Sequence, residues 1–91
     1  MTNDVTALIQ VLSDYHDTLV AQYQRVGEAH TELATRYHAL SQVYDGRGAA
    51  QFKVEWQHVQ STFEAYVDGV PRVLSMLSAK IEQLRRLDQE L

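Results

Sequence analysis

Apolar residues recur every seven positions through the first half of the chain, and a second row follows four residues after each of them. The first row consists of Val5, Leu12, Leu19, Val26, Leu33 and Leu40. The second row consists of Ile9, His16, Tyr23, His30, Tyr37 and Tyr44. Positions three and four residues apart share one side of an α-helix. The pattern therefore predicts an amphipathic helix from about residue 4 to residue 43.

The same periodicity resumes in the second half and predicts a helix from about residue 49 to residue 90. One row consists of Phe52, Val59, Tyr66, Val73, Lys80 and Leu87. The other row consists of Trp56, Phe63, Val70, Leu77, Leu84 and Leu91. A further apolar stripe beside these rows consists of Val67, Leu74 and Ile81. The second helix is thus predicted to be apolar on more than one side.

Pro71 is the one break signal inside this second helix. Proline lacks the amide that would bond to the carbonyl of Val67, and its ring crowds that carbonyl. The apolar rows nevertheless keep their phase across Pro71. We therefore expect a kink near residues 67–71, with the helix resuming after it, rather than a break into two helices.

The sequence Tyr44-Asp45-Gly46 lies between the two helical segments. Asp-Gly is a strong turn signal because glycine adopts backbone angles that other residues avoid. We predict a turn over residues 44–48, with Gly46 ending the first helix in a left-handed conformation. The predicted fold class is all-α, with residues 1–91 forming one domain, an antiparallel two-helix hairpin.

Two helices cover only one side of each other, so the remaining apolar surface favours a partner. We therefore expect the hairpin to dimerise into a four-helix bundle. The residues predicted for the core and the dimer seam are Leu12, Leu19, Val26, Leu33, Leu40, Val59, Phe63, Val70, Leu77 and Leu84.

The residues around the turn resemble those of a known family. Small residues follow Gly46 in the run Gly48-Ala49-Ala50, and two aromatic residues, Phe52 and Trp56, come next. Together with the chain length and the central turn, this arrangement is similar to the WXG-motif family of small helical hairpins tied to type VII (ESX) secretion. Tyr44-Asp45-Gly46 stands where that family has Trp-x-Gly. Phe52 and Trp56 are expected to pack on the end of the first helix.

The resemblance implies a non-enzymatic protein that acts in type VII secretion as substrate, partner or adaptor. Its partner would be a second copy or a paralogous chain of the same kind, with secretion machinery or a larger cargo as further partners. Many family members carry Tyr-x-x-x-Asp/Glu as an export signal. None of the five tyrosines here has an acid four residues later. Either a partner supplies that signal, or the protein acts inside the cell.

Two other functions are consistent with the same rows. A cytoplasmic coiled-coil scaffold without any link to secretion would show an identical pattern. A membrane-active protein would lay its apolar sides on lipid, but the acidic first helix disfavours anionic membranes. The segment Met1-Thr2-Asn3-Asp4 has no basic region and no apolar run behind it. We expect a protein made in the cytoplasm that, if secreted, leaves without a cleaved leader.

Composition excludes several other classes. The formal net charge of −4 disfavours nucleic acid, which requires a basic surface. The chain has no cysteine, so disulfides and thiolate metal sites are excluded. His16 and His30 lie fourteen residues apart, whereas metal ligands on one helix need a spacing of three or four. We expect both histidines to lie at an interface and to be hydrogen-bonded to a neighbouring group or to water, and we expect no catalytic residues, cofactor or metal.

Overall fold

The computed structural model describes the backbone of residues 2–90 and the side chains of residues 4–90. Helix α1 spans Thr2–Ser41 and helix α2 spans Arg47–Glu90. The helices pack antiparallel along their length in a rod with Cα extents of 68 × 16 × 14 Å. The prediction of an all-α two-helix hairpin is confirmed. Leu91, one of the predicted row residues, lies outside the described residues.

The turn lies two residues earlier than the sequence pattern predicts, over residues 42–46 rather than 44–48. Helix α1 ends at Ser41 because the amides of Gln42 and Val43 bond to carbonyls only three residues back, at 3.3 and 3.1 Å. Gly46 has a φ of +90°, which is the predicted left-handed conformation. Its carbonyl accepts the amide of Ala50 at 3.1 Å, the first hydrogen bond of α2. Gly46 therefore opens α2, and the prediction that it ends α1 is wrong.

Helix α2 continues through Pro71 without interruption. This continuity agrees with the unbroken phase of the apolar rows. Val70 directly precedes the proline and is 7 % exposed. The side of α2 that carries Val70 therefore stays against α1 where the proline occurs.

Each helix contributes two neighbouring rows to the contact between them. From α1 these are the predicted row of histidines and tyrosines and a row of smaller half-buried residues, which consists of Ser13, Val20, Gly27 and Ala34. From α2 these are the row that begins at Trp56 and the stripe Val67, Leu74 and Ile81. Among the described side chains only Val70, Ile81 and Leu84 are more than nine-tenths buried. Two helices alone are too few to enclose more.

The predicted seam residues fall into two groups. Phe63, Val70, Leu77 and Leu84 lie inside the hairpin, and Leu12 and Leu19 are half-buried beside it. Four others lie on the surface, and these are Val26, Leu33, Leu40 and Val59, which are 37–49 % exposed. On α1, the row of Val26, Leu33 and Leu40 flanks the two rows that contact α2. On α2 there are three apolar rows, and α1 covers only two of them. The covered pair includes the stripe of Ile81, so the row of Val59 remains outside.

Two glycines give a matched test of the turn. Gly27 lies within α1, and a Cβ there would meet no atom within 4 Å. We expect Gly27→Ala to raise the free energy of unfolding by about 0.5–1 kcal/mol, because alanine favours the helix. Gly46→Ala should lower it by about 1–2 kcal/mol, because φ of +90° strains any residue with a Cβ. Urea melts followed by circular dichroism measure both changes. If both substitutions raised the free energy of unfolding, or both lowered it, the result would contradict the turn geometry.

Candidate partner-binding face

A continuous ladder of aromatic rings joins the two helices near the turn. Its seven ring contacts have centroid separations between 3.8 and 6.5 Å. In order from the turn, the ladder consists of Tyr44, Phe52, Tyr37, Trp56, His30, Phe63, Tyr66 and Tyr23. Rings alternate between α1 and α2 along most of this order. The ladder therefore fixes how the two helices face each other in this half of the rod.

His30 lies at the centre of the ladder. Its ring stacks on Phe63 at 3.8 Å and on Trp56 at 5.7 Å, with interplanar angles of 9° and 3°. Its Nε2 is hydrogen-bonded to the side-chain oxygen of Gln60 at 2.5 Å. His16 is held in a similar way, with Nε2 at 3.3 Å from the hydroxyl of Ser78. Both histidines thus bond to neighbouring side chains, and they lie too far apart in sequence to share one helix turn.

Tyr44 lies across the turn and against the first turn of α2. A Cβ on Gly48 would lie 2.5 Å from the Tyr44 hydroxyl, so a glycine lets the ring approach this closely. The Tyr44 ring also meets the edge of Phe52 at 6.4 Å. Tyr44 is nevertheless 43 % exposed, whereas Trp56 is half-buried between Tyr37 and His30. At this end of the ladder Trp56 is therefore the inner, half-buried ring, and Tyr44 is the outer, exposed ring.

Large apolar side chains are exposed along one side of the rod. We call this side the apolar face, and it comprises heptad positions that flank the hairpin contact on the same side of both helices. Its members are each 37–72 % exposed, and they are Leu8, Tyr15, Val26, Leu33, Leu40, Phe52, Val59, Val73, Met76 and Leu87. Monomeric proteins rarely expose so long a run of apolar surface unless a partner covers it.

Two shallow grooves lie in the apolar face. The turn-side groove, of about 670 Å³, is lined by residues that include Val26, Ala29, Leu33, Val59, Thr62 and Tyr66. The distal groove, of about 690 Å³, is lined by residues that include Leu12, Val73, Met76, Lys80 and Gln83. Each groove takes residues from both helices. This shared lining establishes that the exposed rows of α1 and α2 lie on one side of the rod.

The opposite side of the rod is polar. Depressions there are lined on α1 by Asp17, Gln24 and Glu28 and on α2 by Glu82 and Arg85, among other residues. Val54 is one of the few large apolar residues outside the apolar face, and it is 50 % exposed. The contrast between the two sides makes the apolar face the best candidate for a functional surface.

Sequence periodicity identified most of the residues of the apolar face, but it assigned them to the same seam as the residues of the hairpin interior.

No group of three histidine or acidic side chains among the described residues could hold a metal ion. No helix in residues 2–90 is long and apolar enough to cross a membrane. No protein-family model, curated protein or solved structure was found to match the chain.

Proposed function

We propose that this protein is a non-enzymatic helical hairpin that binds another protein through its apolar face. The exposed apolar side chains of that face carry the proposal. A lone hairpin leaves them in water, and covering them with a second apolar surface contributes about 25 cal/mol for each Å² removed from water. The charged and polar opposite side has no comparable surface.

We further propose that the protein serves a type VII-like secretion system as substrate, partner or adaptor. The turn supports this proposal. Tyr44 lies across the turn, Gly48 leaves room for it, and Phe52 and Trp56 follow on α2 against the end of α1. The packing gives a physical role to Tyr44, Gly48, Phe52 and Trp56, which are four of the residues on which the resemblance to the WXG-motif family rests. A folded rod with an aromatic turn at its tip is a surface that secretion machinery or cargo can recognise.

Secretion can be tested in a host with an active type VII system. A tagged form of the chain is expressed alone, or with a hairpin partner that carries Tyr-x-x-x-Asp/Glu, and the culture medium is assayed. We expect release only with the partner, because no tyrosine in residues 1–91 has an acid four positions later. The same host without the membrane ATPase of the system is the control, and release should disappear there.

A cytoplasmic coiled-coil scaffold is the alternative function. It would use the same apolar face and would remain inside the cell under every condition of this experiment. Retention of the chain with every partner that it binds would contradict the secretion proposal and favour the scaffold. Release of the chain alone would show that another part of it is read as the signal.

A further inference from the structure

We propose that Asp45 is a site of spontaneous covalent modification, at which the turn converts aspartate to isoaspartate through a cyclic imide. The chain contains a second Asp-Gly pair, Asp68-Gly69, which lies inside α2. The fold makes the first pair reactive and protects the second. This modification goes beyond the proposed function and does not depend on which partner the apolar face binds.

The reacting groups of Asp45 and Gly46 lie next to each other. The amide nitrogen of Gly46 is 2.7 Å from Oδ1 of Asp45, to which it donates a hydrogen bond. The carboxyl carbon is bonded directly to that oxygen, so a rotation of the carboxyl group presents this carbon to the nitrogen. The nitrogen belongs to a glycine, and a Cβ there would meet no atom within 4 Å. Neither a side chain nor a neighbour therefore obstructs the attack.

The reaction needs only water and no enzyme or cofactor. The Gly46 nitrogen attacks the carbon of the protonated Asp45 carboxyl group and forms a new carbon–nitrogen bond. The carboxyl hydroxyl leaves with the amide hydrogen as one water molecule, and a five-membered imide remains. Water then adds to one imide carbonyl and breaks its bond to nitrogen. Opening at the side-chain carbonyl restores aspartate, whereas opening at the main-chain carbonyl gives isoaspartate of the same composition.

The backbone of the turn is free to close this ring. Gly46 lies between the two helices with a φ of +90°. In the described part of the chain its amide has no backbone carbonyl as acceptor, so only the hydrogen bond to the Asp45 carboxylate has to break. Asp45 is exposed, and water therefore reaches the imide for the opening step.

Asp68-Gly69 presents the same residue types in a protected environment. Both residues lie within α2, where the amide of Gly69 bonds to the carbonyl four residues earlier. The carbonyl of Asp68 also accepts a hydrogen bond from Nε of Arg72 at 3.2 Å. Ring closure requires the Gly69 amide to leave the helix, so the reaction must wait for local opening. An opening free energy of only about 1.4 kcal/mol already makes the open population tenfold smaller.

Isoaspartate at residue 45 would change the tip of the rod. The main chain would then pass through the former side-chain carbons and become longer by one methylene group. A Cβ on Gly48 would lie 2.5 Å from the Tyr44 hydroxyl, so Tyr44 and Gly48 fit closely across this part of the chain. The extra methylene lies between them in sequence. We therefore expect the modified chain to lose the close fit of Tyr44 against the start of α2.

Oxygen-18 labelling measures both sites in one sample of the natural chain. The folded protein is incubated for several weeks at neutral pH and physiological temperature in oxygen-18 water, because each opening of an imide adds one labelled oxygen. Trypsin, used afterwards in ordinary water, releases the two pairs in separate peptides, residues 37–47 and 54–72. Mass spectrometry should show labelling at Asp45 that is about tenfold faster than at Asp68, or more. An isoaspartyl methyltransferase should methylate the first peptide alone.

Two controls separate the effect of the fold from that of the local sequence. In urea that unfolds the chain, Asp45 and Asp68 should label at similar rates. Asp45→Glu keeps the carboxylate but would need a six-membered ring, so peptide 37–47 of this variant should remain unlabelled.

Three results would overturn the proposal. The first is equal labelling of the two sites in the folded chain, or labelling of neither. The second is a ratio of rates that is the same in urea, because the fold would then not select between the sites. The third is undiminished labelling of Asp45→Glu, because the oxygen would then enter by another route.

Discussion

Trp56→Ala should lower the free energy of unfolding by about 3 kcal/mol, which is in the range found when a large aromatic side chain is removed from a packed site. Trp56 stacks on Tyr37 at 4.8 Å and on His30 at 5.7 Å, so its loss leaves two rings without their neighbour. A hairpin with so few fully buried side chains has little stability in reserve. We expect much of the variant to be unfolded at room temperature, as measured by circular dichroism in a urea series.

Two variants serve as comparisons for Trp56→Ala. Tyr44→Ala should lower the free energy of unfolding by about 1 kcal/mol, because Tyr44 is 43 % exposed and covers the ladder at one end only. Val54→Ala, at an exposed site away from the ladder, should change the free energy of unfolding by less than about 0.5 kcal/mol. If Tyr44→Ala were the more damaging change, the outer ring rather than the inner one would anchor the turn.

The double variant Leu33→Glu with Val59→Glu should abolish binding through the apolar face. Both residues line the turn-side groove and are 49 % and 45 % exposed, so the hairpin itself can accept the change. In a complex formed through the apolar face, the two carboxylates would be buried without partners. We therefore expect the dissociation constant of that complex to rise by about 100-fold or more. Sedimentation velocity over a concentration series measures the change.

Val54→Glu is the matched control for this double variant. Val54 is 50 % exposed and lies outside the apolar face, so a carboxylate there stays in water. Binding should be unchanged, and all variants should retain the helical circular dichroism of the natural chain. Undiminished association of the double variant would show that a different surface holds the partner.

The sequence predicted the hairpin because seven-residue periodicity and a central Asp-Gly are local signals. It could not predict which rows face inward. Val59 and Ile81 belong to neighbouring rows of α2, and both are apolar, so periodicity does not separate them. The structure covers Ile81 and exposes Val59, which is 45 % exposed against 8 % for Ile81. The rotation of each helix about its own axis depends on how the large rings of one helix fit against the small residues of the other. This fit depends on both helices together, so the periodicity of either one does not reveal it.

The turn shows the same limit on a smaller scale. Asp45 and Gly46 marked its position, and the left-handed backbone of Gly46 followed from the residue type. The sequence did not show which helix Gly46 belongs to. That depends on the hydrogen bond between its carbonyl and the amide of Ala50, whereas α1 had already ended at Ser41.

The position of the aromatic ladder has a consequence for the order in which the hairpin folds. Loop-closure entropy rises with the number of residues between two contacts, so rings close to the turn meet at the lowest entropic cost. Tyr37 and Phe52 are separated by far fewer residues than Tyr23 and Tyr66. Each contact that forms shortens the loop for the next, and the helices should zip together from the turn outwards. In stopped-flow measurements Trp56→Ala should then mainly slow folding, whereas changes near Leu84, at the far end, should mainly speed unfolding.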